Sequence, residues 1–500
     1  MQKKRYREWT LDQPYLMPPS LRDWLPEDHR VFRILEVVDQ LDLVEIIDEV
    51  DSRDARGTRP YHPRMMLALL IFAYSEGIYS SRRIARAAQE RVPFRVLTAN
   101  QSPHFTVINR FRDRHRGALP GLFAQLVILC ERLGLVDFSH VSIDGTKLPA
   151  NASKHKAMSY GRMEIELERL KGEIRRLLER AEAEDAAEDA EYGEGGDIDE
   201  LPAELKRRED RIARIKEAMA ELEAEAREAK AKELRERAEG QRENAATEAD
   251  PVERKRKQTR AKRADEKAQE LDPDPPVEEE DEVQTRLPLH RVETTKDGAP
   301  TDRAQRNFTD PESRIMRRNK EFIQGYNAQT AVDAKHQVIV AVGVSNQAAD
   351  QNYLLPMLER FKEIAGRPPD VLTADAGYMS CDNVRYCEDE GIDAYIATSR
   401  KQSRRKQLSS DDNQETQLPE WQSMSEKLRS DHGKKIYARR KTITEPVFGQ
   451  IREARRLRRF SLRGLIKVEA EWMLVAISHN ILKVVTAATS PPHEPAPTAL

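Results

Sequence analysis

The stretch VDFSHVSIDGTKL, residues 136–148, decides the fold. Val136, Phe138, Val141 and Ile143 form a β-biased, mainly apolar run, which predicts a buried strand with Asp144 at its tip. A second such place is VLTADAGY, residues 371–378, where Val371 and Leu372 lead into Asp375 and the turn residues Ala376 and Gly377. Two strand ends of this kind can be neighbours in one sheet. A third acid, Glu445, stands in RRKTITEPVFGQIR, residues 439–452. Because Pro446 follows it, the expectation is that Glu445 opens a helix, with Arg452 seven residues on and on the same face. Two strand-end aspartates and a helix-borne glutamate make a hard oxygen cage suited to Mg²⁺. A pair of such ions can bind both the attacking and the leaving oxygen of a phosphodiester displacement. The residues therefore point to phosphoryl transfer on a polynucleotide.

Four segments carry a resemblance. SIDGTKLPANASKHKAMSY from Ser142, TDPESRIMRRNKEFIQGYNAQTAVD from Thr309, TADAGY from Thr373 and YARRKTITEPVFGQIR from Tyr437 together resemble bacterial insertion-sequence transposases of the DDE type. The resemblance implies an α+β fold: a ribonuclease-H-like mixed sheet with a helical N-terminal domain. It implies Asp144, Asp375 and Glu445 as catalytic metal ligands for Mg²⁺, two ions with Mn²⁺ able to substitute. It also implies double-stranded DNA as partner, both terminal inverted repeats and target, and a homodimer on that DNA in the bacterial cytoplasm at the nucleoid. One departure stands out. Many relatives place an arginine four positions before the glutamate and a lysine after it. Here Lys441 holds the minus-four place, Arg440 and Tyr437 lie five and eight before Glu445, and Arg452 stands for the lysine.

Charge is segregated along the chain. The formal net charge is only −3, with 84 Lys+Arg and 87 Asp+Glu. Residues 155–300 hold 30 Lys+Arg against 42 Asp+Glu, which leaves 54 against 45 elsewhere. Outside its middle the chain is basic, as a polyanion-binding surface requires. The stretch 434–467 concentrates twelve Lys and Arg against Glu445 and Glu453. Tyr437, Arg440, Lys441, Arg452, Arg455 and Arg456 in it are expected to meet phosphates. Three cysteines, Cys130, Cys381 and Cys387, offer no CxxC pair and no disulfide scaffold, which fits a reducing compartment. The N-terminus lacks a signal-peptide core, and MMLALLIFAY from Met65 is about half of a membrane span, so it reads as a buried helix.

Domain organisation follows from these shifts. Residues 1–135 are expected to be helical and to bind DNA. Within them SSRRIARAAQERVPF and SPHFTVINRFRDRH predict two helices joined by a turn with Pro93 and Asn100. This is either a groove reader presenting Thr106, Asn109, Arg110 and Arg112 or a packing module with solvated arginines. Residues 136–154 with 305–486 form the expected catalytic core, and 155–304 an inserted hairpin and linker. In that insertion Met163, Leu167, Leu170, Ile174 and Leu177, then Ile212, Ile215, Met219 and Leu222, repeat at coiled-coil spacing. The hairpin is either a spacer or a protein or DNA contact. KRKQTRAKR from Lys255 reads as soluble coil or as a phosphate contact, and PDPPVEEEDE from Pro273 as linker. Trp472, Leu474, Ile477 and Ile481 predict a closing core helix, with His479 structural, before a proline-punctuated tail over 487–500. The alternative to an active transposase is an inactive, transposase-derived DNA-binding protein, which should have lost one of the acids.

Overall fold

The computed structural model describes residues 20–52, 59–192, 201–273, 287–318, 320–398 and 419–489. At its centre is a six-stranded mixed sheet. Strands β1 (His140–Pro149), β4 (Arg314–Arg318), β5 (Glu321–Asp333), β6 (Ile339–Ser345), β7 (Val371–Ala374) and β8 (Asp393–Ile396) run in the order β4-β5-β1-β7-β8, with β6 also paired to β5. A separate ribbon of β2 (Ala157–Ser159) and β3 (Gln305–Asn307) stands where the insertion leaves and re-enters the core. β5 runs antiparallel to β1 from Val141↔Asp333 to Pro149↔Gly325. β7 runs parallel to β1 from His140↔Val371 to Ile143↔Ala374, and β8 parallel to β7. An antiparallel hairpin followed by parallel strands and helices is the ribonuclease-H-like arrangement expected from the sequence.

Two strand expectations need amendment. β1 does not end at Asp144 but continues to Pro149, because β5 keeps pairing with it after β7 has stopped. Asp144 therefore sits mid-strand, just past the last rung shared with β7. The expected hairpin between β5 and β6 is present, but β5 starts earlier and β4 pairs with its first residues. RIMRR does not look like a strand, since only Arg314 and Met316 are buried and the rest faces out, as on a charged edge.

Among the described residues seven N-terminal α-helices precede the sheet: α1 (Arg30–Asp39), α2 (Val44–Asp51), α3 (Pro63–Ser75), α4 (Ser81–Glu90), α5 (Val92–Leu97), α6 (Phe105–Arg114) and α7 (Leu119–Arg132). α3, the apolar Met65 stretch, is buried almost all round, and no helix among the described residues is long and apolar enough to cross a membrane. The expected two-helix pair is a three-helix arrangement. Pro93 lies in the first turn of α5, where a missing N–H costs nothing, and the left-handed Ala99 and Asn100 end that helix before α6.

After β6 come α11 (Leu354–Ala365), α12 (Cys381–Asp389), α13 (Pro419–Arg429), α14 (Asp431–Gly449) and the closing helix α15 (Leu465–Thr489). α14 packs on β1 and β7, and α15 on β6, α7 and α3. Trp472, Leu474, Ile477 and Ile481 are buried as expected, in one core shared by the N-terminal helices and the sheet. Asn480 mimics a strand, accepting from Ile339 N at 2.9 Å and donating to its carbonyl at 2.8 Å. The helix continues to Thr489, into the segment expected as tail. The remaining tail from 490, the basic run from Arg400 and most of the linker from Pro273 lie outside the described residues.

Among the described residues the insertion holds three helices, α8 (Tyr160–Tyr192), α9 (Leu201–Ala246) and α10 (Pro251–Leu271). α8 and the first half of α9 pack antiparallel through Met163, Leu170, Ile215 and Leu222, the heptad positions named above. The soluble-coil reading of KRKQTRAKR fails, because those residues are helical in α10 and pair with the second half of α9. Large apolar side chains thin out there because the seam is built of alanine: Ala231, Ala238 and Ala245 at seven-residue steps, with Ala261 and Ala268 opposite. Arg306 ties the stem to the core through Glu221 and Glu225 at 2.6 and 2.5 Å, and Arg314 of β4 reaches Glu225 at 3.1 Å.

Candidate active site

Parallel pairing of β1 with β7 sets Ile143 beside Ala374, so the next residues, Asp144 and Asp375, emerge side by side. Asp144 is largely buried. Burial pushes its carboxyl above the usual range, Arg440 pulls it back, and neighbouring Asp375 pushes it up again. Its oxygens have partners. Oδ2 accepts from Arg440 Nη1 at 2.9 Å and from Thr444 Oγ1 at 3.2 Å, while Oδ1 accepts from Gly145 N at 2.8 Å. Asp375 Oδ1 accepts from Gly377 N at 2.7 Å, which turns the DAGY loop back on itself.

A polar layer beneath the two acids has no counterpart in the sequence reading. Gln329, opposite Gly145 on β5, donates to Asp350 Oδ1 at 3.1 Å and Asn327 Oδ1 at 3.1 Å, and accepts from the buried Tyr378 hydroxyl. Asn327 also donates to Asp350 Oδ1, at 2.7 Å. A Cβ at Gly377 would lie 2.9 Å from Asp375 Oδ1 and 3.1 Å from Asp350 Oδ2, so these two carboxylates flank the same point. Burial raises the Asp350 carboxyl, Asn327 and Lys147 lower it, and Asp375 raises it. In sequence Asp350 looks like a helix cap ahead of QNYLL, yet its side chain caps nothing and turns to Asn327 and Gln329 instead. Only the register of β5 reveals that role.

Glu445 does not open a helix. α14 starts at Asp431, capped by Ser430, and runs through Pro446 to Gly449. Pro446 cannot donate to the carbonyl of Thr442, and Gln337 Nε2 donates to that oxygen instead, at 2.9 Å. A residue 105 positions away thus removes the break that Pro446 signals locally. Arg440 and Thr444 of this helix face Asp144, and Glu445, one residue on, is exposed. The structure thus brings Asp144 and Asp375 together, and Glu445 is not gathered with them. Among the described residues no group of three or more His, Cys, Asp and Glu is arranged to hold a metal ion. The two paired aspartates still fit a hard divalent cation, since buried like charges repel and an oxygen-seeking cation would relieve them.

The basic residues separate into two sets. Tyr437 is half-buried, with the Arg440 guanidinium carbon 5.9 Å from its ring centroid, and burial raises its hydroxyl. Lys441, Arg456 and Arg110 are exposed and Arg452 is partly so, lying in a π-helical turn (Gln450–Ala454) that alters its phase relative to Glu445. Arg112 and Arg455 do not fit the expected DNA contact. Arg112 is only 5% exposed and donates to the Tyr74 hydroxyl, the Tyr79 carbonyl and Asn109 Oδ1. Arg455 is 6% exposed and lies 3.1 Å from His479 Nδ1. Burial lowers Arg455 to about 10, and burial with Arg455 lowers His479 to about 3, which leaves the histidine neutral and structural. Arg112 ties α3 to α6 within the N-terminal helices, and Arg455 holds α15 through its side chain while its carbonyl accepts from the Tyr79 hydroxyl, roles that counting charges along the sequence does not reveal.

Comparison with known families agrees with this geometry. Residues 290–481 match the Transposase DDE domain, and residues 19–114 match a Transposase domain of the DUF772 type. No curated protein and no solved structure matches the chain. The first match spans β4 through β8 and α14 with Asp375 and Glu445, and the second spans α1 through α6. With transposase matches over its N-terminal helices and over the core from residue 290, and with a ribonuclease-H-like sheet that sets Asp144 beside Asp375, the chain belongs to the insertion-sequence DDE transposases.

Proposed function

We propose that this transposase cuts DNA at the ends of its mobile element and joins the released 3′-hydroxyl to target DNA. The observation that carries this is the adjacency of Asp144 and Asp375 at the end of the β1–β7 ladder, with Arg440 reaching in from α14. Asp144 and Asp375 would hold Mg²⁺, two ions with Mn²⁺ able to substitute, and Glu445 would have to move toward them from the exposed face of α14 to serve as third donor. When bound, these ions supply Lewis acidity to the scissile phosphate and neutralise the charge that develops on it. The chain's own residues do the positioning. Arg440 exchanges Asp144 for a DNA phosphate, which frees Oδ2 as the strand arrives. Tyr437, Lys441, Arg452 and Arg456 hold the backbone beside it, and Arg110 holds duplex further along. Residues 1–135 form the DNA-binding part and 136–154 with 305–486 the catalytic part. Two element ends are processed together, by a homodimer on DNA.

Purified protein incubated with labelled element-end DNA and Mg²⁺ or Mn²⁺ tests this reading. Asp144→Asn, Asp375→Asn and Glu445→Gln should each abolish end cleavage while leaving DNA retention intact. Cleavage that survives any one of them removes that acid from the site.

A further inference from the structure

The insertion does more than space the core, and its distal end has the character of a phosphate-binding surface. α9 and α10 run antiparallel from the stem to a tip at residues 246–251. Lys257 meets Glu248 at 2.6 Å, Arg242 meets Asp265, and Arg235 meets Asp272 at 2.9 Å. From the anchoring residue Glu225 to Ala246 the helix rises about 31 Å, close to one turn of duplex DNA. Because the seam is alanine, the charged side chains of α10 are left to the outside.

Their signs are not mixed. Between Glu253 and Asp265 every ionisable residue of α10 is Lys or Arg. Arg254 and Lys257 turn back to Glu248, the former to its carbonyl at 2.7 Å. The others point outward: Arg256 reaches only the partly buried Glu253 at 3.4 Å and Lys262 only Glu266 at 3.8 Å, while Lys255, Arg260 and Arg263 are exposed and form no ion pair among the described residues. The stem differs. On α8, Arg169 pairs with Glu166 and Glu173, and Lys171 pairs with Glu168, as on an ordinary solvated helix. From Lys255 to Arg263 the outward cations extend about 12 Å along the axis, the rise of three to four phosphates on one strand. They stand within a segment that is otherwise strongly acidic, so contact with a polyanion is confined to the tip.

We infer that the outer face of α10, through Lys255, Arg260, Lys262 and Arg263, binds the phosphate backbone of duplex DNA outside the catalytic site. This rests on the reading that the chain acts on DNA. Backbone contact of this kind is independent of sequence, so a random-sequence duplex serves as the probe. Full-length protein and the variant Lys255→Gln, Arg260→Gln, Lys262→Gln, Arg263→Gln are titrated with it across a salt series by fluorescence anisotropy. Glutamine keeps the helix, which circular dichroism verifies. The expected result is a salt slope shallower by about 3 and binding weaker by about tenfold or more at moderate salt. If the unaltered chain binds duplex and the variant binds with equal affinity and slope, the assignment of this face falls while the cleavage reading stands. If the variant loses polyglutamate binding and keeps duplex binding, the face is a site for an acidic protein and the assignment is likewise overturned. If the unaltered chain retains no duplex, both readings fall together.

Discussion

Arg440 and Asp144, 296 residues apart in sequence, meet in an ion pair of 2.9 Å whose side chains are only 13% and 19% exposed. The pair is asymmetric. Asp144 is wedged between the sheet and α14 beside a second carboxylate, whereas Arg440 reaches in on a long stem from the helix surface. Removing the cation leaves two adjacent carboxylates without their counter-charge, whereas neutralising Asp144 relieves its repulsion with Asp375 and leaves the guanidinium in the field of that remaining carboxylate. Arg440→Gln should therefore destabilise the protein by about 2 kcal/mol and Asp144→Asn by less than about 1 kcal/mol. Urea denaturation of the two variants checks this, and equal losses would show that shape rather than charge holds the pair.

Asp333, at the far end of β5, is buried and accepts from Phe138 N at 3.0 Å and Lys335 N at 2.8 Å. Burial outweighs those bonds and raises its carboxyl from 3.8 to about 6. A folded-state value above the unfolded one means that the native state binds the proton more tightly between the two. Stability from this group is thus full below about pH 4, declines as pH rises to 6 and is flat beyond. The shift corresponds to about 3 kcal/mol. Asp333→Asn should remove that slope, seen as the difference between the two proteins' denaturation midpoints from pH 4 to 7.

The readings that survived are those whose cause is local. Val141, Ile143, Val371 and Leu372 are apolar and β-biased, so both strands and the meeting of Asp144 with Asp375 follow from short stretches. Trp472, Ile477 and the Met163 heptads likewise carry their burial in their own spacing. What was misread depends on distant partners. Pro446 announces a helix start until Gln337 supplies the missing donor to Thr442. Arg112 and Arg455 look like phosphate ligands until Tyr74, Asn109 and His479 surround them. The α9–α10 seam is invisible to a search for large apolar residues because it is made of alanine.

Gly145 is required by its neighbour across the ladder. A Cβ there would lie 2.4 Å from Gln329 Nε2, the atom that bonds Asp350 and Asn327. Gly145→Ala should push Gln329 aside, break those bonds and tilt the DAGY loop through Tyr378. The expected cost is about 1–3 kcal/mol, together with lost end cleavage. Tyr378→Phe, which removes only the hydroxyl on Gln329, should cost about 1 kcal/mol and retain more cleavage. Paired thermal and cleavage assays separate the two, and a Gly145→Ala protein with normal cleavage would remove this layer from the site's support.

Gln337 and Pro446 are coupled through a third residue that neither could satisfy alone. The Thr442 carbonyl has no helical donor because Pro446 lacks an N–H, and Gln337 provides one at 2.9 Å while its Oε1 accepts from Lys483 Nζ at 3.1 Å. Gln337→Ala should cost about 1 kcal/mol, because that carbonyl and the lysine both lose a partner. Pro446→Ala restores an N–H four residues beyond Thr442, so α14 can close its own ladder there. In that background the glutamine's bond to Thr442 is redundant, and Gln337→Ala should cost only about half as much, the remainder being the Lys483 contact. Denaturant melts of the four proteins give the coupling directly. A loss that is identical in both backgrounds would mean that water, not Gln337, satisfies Thr442, and that α14 tolerates Pro446 for another reason.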